Sequence, residues 1–231
     1  MSPLLIPLAI ILILGGLLFL RLRKLGEQRT KEFKRISEQL GMTFSARVKG
    51  RAKDQATPPL PLFREGRSRV VTNMLHGDSE LLGFAEEFEV RIFAYEFTVG
   101  SGKSSSTWMQ SVICFQSPQL NLPKFQLRPE HFSDKIGSKL GYQDIDFESH
   151  PTAVEFSKKY LLRGKDEQTI RALFTDAVLT FFAAHPDKVC VEGSDDQLIW
   201  YQPGKIIEPE DIPAFMKEGF EVFRVFARKQ N

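Results

Sequence analysis

Cysteine and tryptophan are scarce in this chain of 231 residues, which has two of each. Cys114 and Cys190 lie far apart within apolar runs and form neither a CxxC pair nor an even-numbered framework. This pattern excludes a disulfide-rich secreted scaffold and favours two buried, reduced thiols in a reducing compartment, with a single disulfide as the alternative. Twenty phenylalanines against four tyrosines indicate that phenylalanine fills the core.

Charged side chains are absent from residues 2–20, which read SPLLIPLAIILILGGLLFL. Nineteen residues of helix rise about 28 Å, close to the thickness of the hydrocarbon core of a bilayer. No basic residue precedes the run, and RLRK follows it where a cleaved signal peptide has small residues. The sequence therefore predicts a transmembrane anchor over residues 1–20.

Positive charge is concentrated directly after this run. Residues 21–53 contain eleven Lys or Arg and three acidic residues; because the whole chain carries +2, residues 54–231 carry −6. The positive-inside rule then predicts a single-pass protein of the inner (plasma) membrane with its N-terminus outside and its C-terminal domain in the cytoplasm. We expect the bilayer and its anionic headgroups as partners of the membrane-proximal basic residues, which are Arg21, Arg23, Lys24, Arg29, Lys31, Lys34 and Arg35. The alternative is that these residues only solvate a helix and fix its topology.

Four segments are predicted along the chain. After the anchor, residues 21–41 have the composition and spacing of a basic juxtamembrane helix that ends at Gly41. Residues 42–66 connect into the domain, and their prolines favour an extended chain over an SH3 ligand. Residues 67–231 are predicted to form a cytoplasmic α+β domain.

Strand patterns dominate the first half of this domain and helix patterns its second half. Alternation predicts strands at 68–77, 87–97, 107–116 and 155–164, and helical periodicity predicts a single helix at 165–185 and a closing helix at 208–229. A mainly antiparallel sheet with helices packed on it, preceded by one transmembrane helix, fits this order best.

The stretch VGSGKSSS at residues 99–106 has the Gly-Lys-Ser of a phosphate-binding loop. A P-loop needs a glycine at position 97, where this chain has Phe97, and a helix that begins at the Lys-Ser. Here a strand pattern follows instead. The stretch is therefore predicted to be a hairpin loop whose glycines supply positive φ.

Most of residues 61–204 resembles a group of uncharacterised bacterial proteins with one N-terminal transmembrane helix and a single soluble cytoplasmic domain. The resemblance is carried by PLFREGRSRVVTNMLHG, AYEFTVGSGKSSST and VEGSDDQLIWYQPG, among other runs. In that group the strand before the hairpin reads Phe-Asp-Tyr-x-Tyr, whereas this chain has Ala94 in place of the acidic residue. The resemblance implies an inner-membrane protein of unknown function and supplies no catalytic residue.

Side chains that carry chemistry are scattered through the sequence. The histidines, at 76, 131, 150 and 185, have no metal-ligand spacing, so no metal, cofactor or catalytic residue is predicted. The start of a strand explains the pair Asp144–Asp146, and a turn explains the pair Asp195–Asp196, better than acid–base chemistry does. Arg128 and Arg163 are interpreted as surface charges that flank helices. The acidic domain lacks a basic stripe, which argues against nucleic acid as a partner.

Three classes of function remain. A membrane-anchored, non-catalytic interaction or scaffold module that binds an unidentified protein is favoured, because no catalytic set assembles. The alternatives are a domain that binds a small ligand or a lipid headgroup, and an unrecognised hydrolase.

Overall fold

The computed structural model describes residues 5–49, 54, 56–80, 82–130 and 141–227, with side chains in the first helix from Ile13 onward. Within these residues, nine strands form a single antiparallel sheet in the order β1-β2-β3-β4-β9-β8-β5-β7-β6. The strands are β1 Thr43–Val48, β2 Arg67–Asp78, β3 Glu89–Val99, β4 Ser106–Gln116, β5 Leu122–Pro129, β6 Gln143–Asp144, β7 Tyr160–Gly164, β8 Cys190–Asp195 and β9 Gln197–Tyr201.

Helices accompany this sheet, as the sequence predicts for an α+β fold. They are α1 Leu5–Gln39, α2 Pro61–Arg64, α3 Pro151–Lys159, α4 Glu167–Leu173, α5 Asp176–Ala184 and α6 Ile212–Ala227. The mainly antiparallel sheet with helices packed on it is confirmed.

The sheet buries both of its faces. The helix face packs against α1 and α3–α6 through a core rich in phenylalanine, in which Phe125 and Phe223 are fully buried. The opposite face is covered by residues 56–64, here called the strap, whose Leu62 and Phe63 pack on Tyr95 and its neighbours. The strap buries apolar surface that would otherwise face water.

Two of the predicted elements have different boundaries in the structure. The predicted strand 155–164 is helical up to Lys159, because His150 and Pro151 begin α3: the His150 side chain accepts a hydrogen bond from the backbone N–H of Ala153. The predicted single helix 165–185 is interrupted after Phe174, where Thr175 is extended at the N-cap of α5. Its apolar periodicity continues across this break and hides it.

Helix α1 runs continuously from Leu5 to Gln39 and ends in a Schellman motif, as the sequence predicts for Gly41. Gly41 has φ +70°, and the backbone N–H of Met42 donates to Ser37 O at 2.8 Å. The last turns of α1 belong to the core, since Phe33 and Ser37 are buried. Residues 43–48, within the predicted connection, form the edge strand β1; the predicted segment boundaries at 20, 41 and 66 remain predictions.

Among the helices whose side chains the structure describes, none has an apolar stretch long enough to cross a bilayer. Residues 1–4 of the predicted anchor lie outside the described residues, as do the side chains of residues 5–12. The transmembrane anchor therefore stays a prediction.

The path of α1 distinguishes the two ends of the sheet. Arg29 donates to the backbone O of Ile207, just beyond β9, whereas Met42 packs against Gly77 near the end of β2. The sheet end beside Arg29, which includes the β3–β4 loop, is called the anchor end, because α1 leaves the domain there. The other end, at Asp78 and Asp195, is called the distal end.

Candidate functional site

A groove of about 680 Å³ lies between α1 and the anchor end of the sheet. Its floor is made of small side chains on neighbouring strands, Ala46, Thr72 and Ala94, and Gly26 of α1 lies in its wall. Small residues at these positions leave the space that larger side chains would fill. The remaining lining residues are Arg23, Glu27, Arg29, Thr30, Lys31, Asn73, Met109 and Ile206.

A β-bulge in β2 shapes the floor of the groove. The pairing register between β2 and β3 shifts between Thr72 and Leu75, and Asn73 adopts φ +51°. Asn73 Oδ1 is buried and has no hydrogen-bond partner among the described residues. Asn73 and Met109, which both line the groove, thus combine a buried acceptor oxygen that has no donor among the described residues with an apolar side chain.

The predicted basic residues of α1 divide into two sets. Arg23, Lys34 and Arg35 form ion pairs within the helix, with Glu27 at 3.0 Å, Glu38 at 3.8 Å and Glu32 at 2.8 Å respectively. Such exposed pairs contribute little stability. Arg29 lies 3.4 Å from Glu208, which ties α1 to the domain, and stacks on Phe33 one turn further along the same helix.

Three of the predicted basic residues keep their charge available. Arg21, Lys24 and Lys31 are exposed and make no ion pair with the residues that the structure describes. Lys31 lines the groove, together with Arg23 and Arg29. The groove and the helix above it thus combine positive charge with a small apolar floor.

The loop VGSGKSSS is a hairpin connection, as the sequence predicts. It joins β3 to β4, and a single 3-10 turn at Gly102–Ser104 precedes the strand where a P-loop would begin its helix. Gly100 and Gly102 have φ +77° and +56°. The loop therefore presents no helix N-terminus to a phosphate.

The two cysteines are free and fully buried on the strap face. Burial raises the pKa of the Cys114 thiol to about 12, and the pKa of Cys190 is also raised by burial. Both thiols are therefore protonated at neutral pH and unsuited to nucleophilic attack.

The described histidines are separated in the structure. His150 caps α3 and lies 2.9 Å from Asp176, His76 lies 3.6 Å from Glu89, and His131 lies outside the described residues. Among the described residues, no three His, Cys, Asp or Glu side chains are grouped so that they could hold a metal ion.

A buried polar cluster under the strap escaped the sequence interpretation. Glu192 is fully buried, and its carboxylate accepts hydrogen bonds from Leu62 N at 2.9 Å, Gln126 Nε2 at 2.9 Å and Tyr201 Oη at 3.2 Å. Burial raises the pKa of Glu192 from 4.5 to about 7, against the lowering effect of these hydrogen bonds. The one feature of the sequence that could have indicated this cluster is a glutamate at an inward-facing position of a strand.

Arg128 and Arg163 do not fully match their interpretation as surface charges that flank helices. Arg128 is buried, with 2% of its surface exposed, because it lies on the same face of β5 as Gln126 and under the strap. Arg163 is paired with Asp144 on the neighbouring strand. Both face the strap rather than flanking a helix at the surface.

These observations define an α+β domain whose first helix forms one wall of a groove and then leaves the sheet. No family model matches the chain, and a search of curated proteins gives no match. The fold is shared with the crystal structure of the mycobacterial trehalose monomycolate transport factor A, TtfA, with a TM-score of 0.57 at 11% identity over 86% of this chain and 92% of that one. At this identity the likeness extends to the fold alone.

Proposed function

We propose that the protein is a membrane-anchored, non-catalytic interaction module, and that the groove between α1 and the sheet binds an anionic lipid headgroup. Residues 1–20 form the anchor, and the domain lies on the cytoplasmic side of the inner membrane. The observation that carries the proposal is the continuity of α1, which leads from an apolar, exposed stretch directly into the wall of a basic groove.

The exposed stretch supports the anchor. Large apolar side chains of α1 are 53–65% exposed over residues 13–25, namely Ile13, Leu14, Leu17, Leu18, Phe19, Leu20, Leu22 and Leu25. A contiguous apolar surface of this kind marks a membrane or partner contact. A bilayer is favoured because the apolar sequence runs back uncharged to residue 2 and is followed at once by Arg21, Arg23 and Lys24.

Spacing along α1 supports a position of the groove at headgroup depth. Arg23, the first groove residue, lies three residues beyond the predicted span, which is about 5 Å of helix. The headgroup layer extends roughly 5–7 Å beyond the hydrocarbon core on each side. Because α1 continues unbroken through this region, the proposed arrangement puts the Arg23 end of the groove in the headgroup layer.

The shared fold is compatible with this assignment. TtfA is named as a transport factor for trehalose monomycolate, and a related role for this chain would place its domain beside a lipid. The fold supports a lipid-related role in general. The choice of an anionic headgroup rests on the residues of the groove.

The proposal is tested by quantifying the phospholipids that remain bound to the full chain after purification in detergent. The wild-type chain should retain anionic phosphatidylglycerol in preference to zwitterionic phosphatidylethanolamine, with retention falling as salt rises. Ala94→Leu fills the groove floor, and Lys31→Glu replaces the lining cation that has no ion pair among the described residues with an anion, so both should abolish the preference.

Lys103→Glu is the matched control, because Lys103 is an exposed lysine at the same end of the sheet but outside the groove. It should retain phosphatidylglycerol as the wild type does. Equal retention in the wild type, Ala94→Leu and Lys31→Glu would contradict a headgroup site in the groove.

A further inference from the structure

Three side chains line up across neighbouring strands at the distal end of the sheet. Phe125 of β5 pairs with Gly164 of β7, and Gly164 also faces Gln143 of β6. One residue beyond these pairs, the same registers set Lys124 opposite Lys165 on one side and Tyr142 opposite Lys165 on the other. Residues directly opposite each other project from the same face of a sheet, so the row Lys124, Lys165, Tyr142 faces the strap.

The strap closes this row into a small pocket. Arg64, at the end of α2, and two prolines of the strap complete a cavity of about 70 Å³. Its lining residues are Pro59, Pro61, Arg64, Lys124, Tyr142 and Lys165. Three cations from three separate elements thus meet around one space, although they are distant in sequence.

These cations have no counter-ion among the described residues. Arg64, Lys124 and Lys165 are exposed, and none of them makes an ion pair or a side-chain hydrogen bond with the residues that the structure describes. Two carboxylates on neighbouring strands are engaged elsewhere, Asp144 by Arg163 and Glu192 by its three donors. Like charges on directly opposite strand positions destabilise a sheet, so an anion between Lys124 and Lys165 would relieve a repulsion built into the fold.

We propose that this pocket binds the phosphate group of a soluble phosphorylated ligand. The cavity of about 70 Å³ has room for one tetrahedral oxyanion and leaves the remainder of the ligand outside. Arg64 can donate two parallel hydrogen bonds and the lysines act as point charges. The Tyr142 hydroxyl adds a neutral donor, since burial, with the charge of Glu192, raises its pKa.

Position separates this pocket from the groove at the anchor end. Through the pairings of β5, β8, β9 and β4, Lys124 lies level with Gln116, five residues from Ser111, which pairs with Ala94 of the groove floor. That distance is about 17 Å of strand, more than the roughly 5–7 Å of the headgroup layer. Headgroups of the anchoring bilayer are out of reach, which is why the ligand is assigned as soluble.

The test uses the full chain in nanodiscs of zwitterionic lipid, titrated calorimetrically with inorganic phosphate and with glycerol 3-phosphate. Saturable binding of both is expected, together with a rise in the thermal unfolding midpoint. Lys165→Ala and Arg64→Ala should each weaken binding about tenfold or more, as expected for loss of a charge-assisted hydrogen bond. Lys103→Ala, an exposed lysine at the other end of the sheet, should bind as the wild type does.

The thermal stability of Lys165→Ala without phosphate separates an anion site from a structural role for Lys165. If the site is for anions, Lys165→Ala without phosphate should unfold at the same or a higher temperature than the wild type, because a like-charge contact is removed. Absence of saturable phosphate binding, or equal binding by Lys165→Ala, would overturn the proposal. So would binding confined to added vesicles that contain phosphatidic acid. Ala94→Leu should leave phosphate binding intact, which keeps this test independent of the groove.

Discussion

The backbone N–H of Leu62 donates to Glu192 Oε2 at 2.9 Å, across 130 positions of sequence. This bond ties the strap to the centre of the sheet. It adds a buried polar contact to the hydrophobic packing of Leu60, Leu62 and Phe63, and Arg69 holds the strap as well by donating to the backbone O of Phe63.

Glu192 should make stability depend on pH around neutrality. Its pKa is raised from 4.5 to about 7 by burial, so the folded state favours the protonated form. The stability that this protonation contributes is fully present below about pH 4.5 and is lost as pH rises through about 7. The free energy of unfolding of the wild-type chain should therefore fall between pH 5 and 8, as measured by denaturant titration.

Glu192→Gln should flatten this pH dependence, since the amide does not titrate. Gln126 can flip its amide and Tyr201 can rotate its hydroxyl to accept from the new NH₂ group, so the variant remains hydrogen-bonded. Glu221→Gln, on an exposed position of α6, is the control and should keep the wild-type slope. An unchanged slope in Glu192→Gln would show that other groups cause the dependence.

Phe33→Ala should destabilise the whole domain by about 3–5 kcal/mol, because it opens a cavity in the core. Phe33 is 4% exposed and lies in the core of the helix face. Lys34→Ala, at the next position on the exposed side of α1, should stay within about 0.5 kcal/mol. Chemical denaturation of the full chain in detergent measures both, and equal stabilities would mean that α1 is not part of the cooperative unit.

Gly100→Val should cost more than about 1 kcal/mol of stability. Gly100 has φ +77°, and a Cβ there would lie 2.5 Å from the backbone O of Ser104. Gly102→Ala should cost less, because Gly102 shares the positive φ but has open space around it. Thermal unfolding of the two variants ranks the costs, and the reverse order would be inconsistent with this loop geometry.

Lys103→Ala should change the free energy of unfolding by less than about 0.5 kcal/mol. Neither the wild type nor the variant should bind nucleotide, because the loop cradles no phosphate. Titration calorimetry with ATP and GTP in the presence of magnesium should give no saturable binding for either chain. Saturable binding that disappears in Lys103→Ala would contradict the hairpin interpretation.

Fusions at the C-terminus test the predicted orientation in bacterial cells. A fluorescent protein should be bright and alkaline phosphatase inactive, because Arg21, Arg23 and Lys24 follow the uncharged run and hold that side in the cytoplasm. Reversal of these three residues to Glu should reduce the fluorescence. High phosphatase activity of the wild-type fusion would overturn the predicted topology.

The sequence by itself determined the features that are encoded by neighbouring residues. The end of α1 at Gly41, the hairpin at residues 100–105 and the closing helix all depend on local backbone preferences and periodicity, so a short stretch of chain contains the information. The two boundaries that the sequence misplaced have different causes: His150 and Pro151 begin a helix ahead of a strand-like stretch, and apolar periodicity continues across the cap at Thr175.

The tertiary structure alone decided which distant residues meet. Insertion of β9 and β8 between β4 and β5 buries Glu192 and Arg128 under the strap. Strand pairing likewise sets Lys124 against Lys165 and lets α1 wall a groove over Ala94. From local sequence alone, a lysine near a strand end is interpreted as a solvated charge. Its counter-ions and how deeply it is buried depend on the order of the strands. That order is fixed because both faces of the sheet must be buried at once.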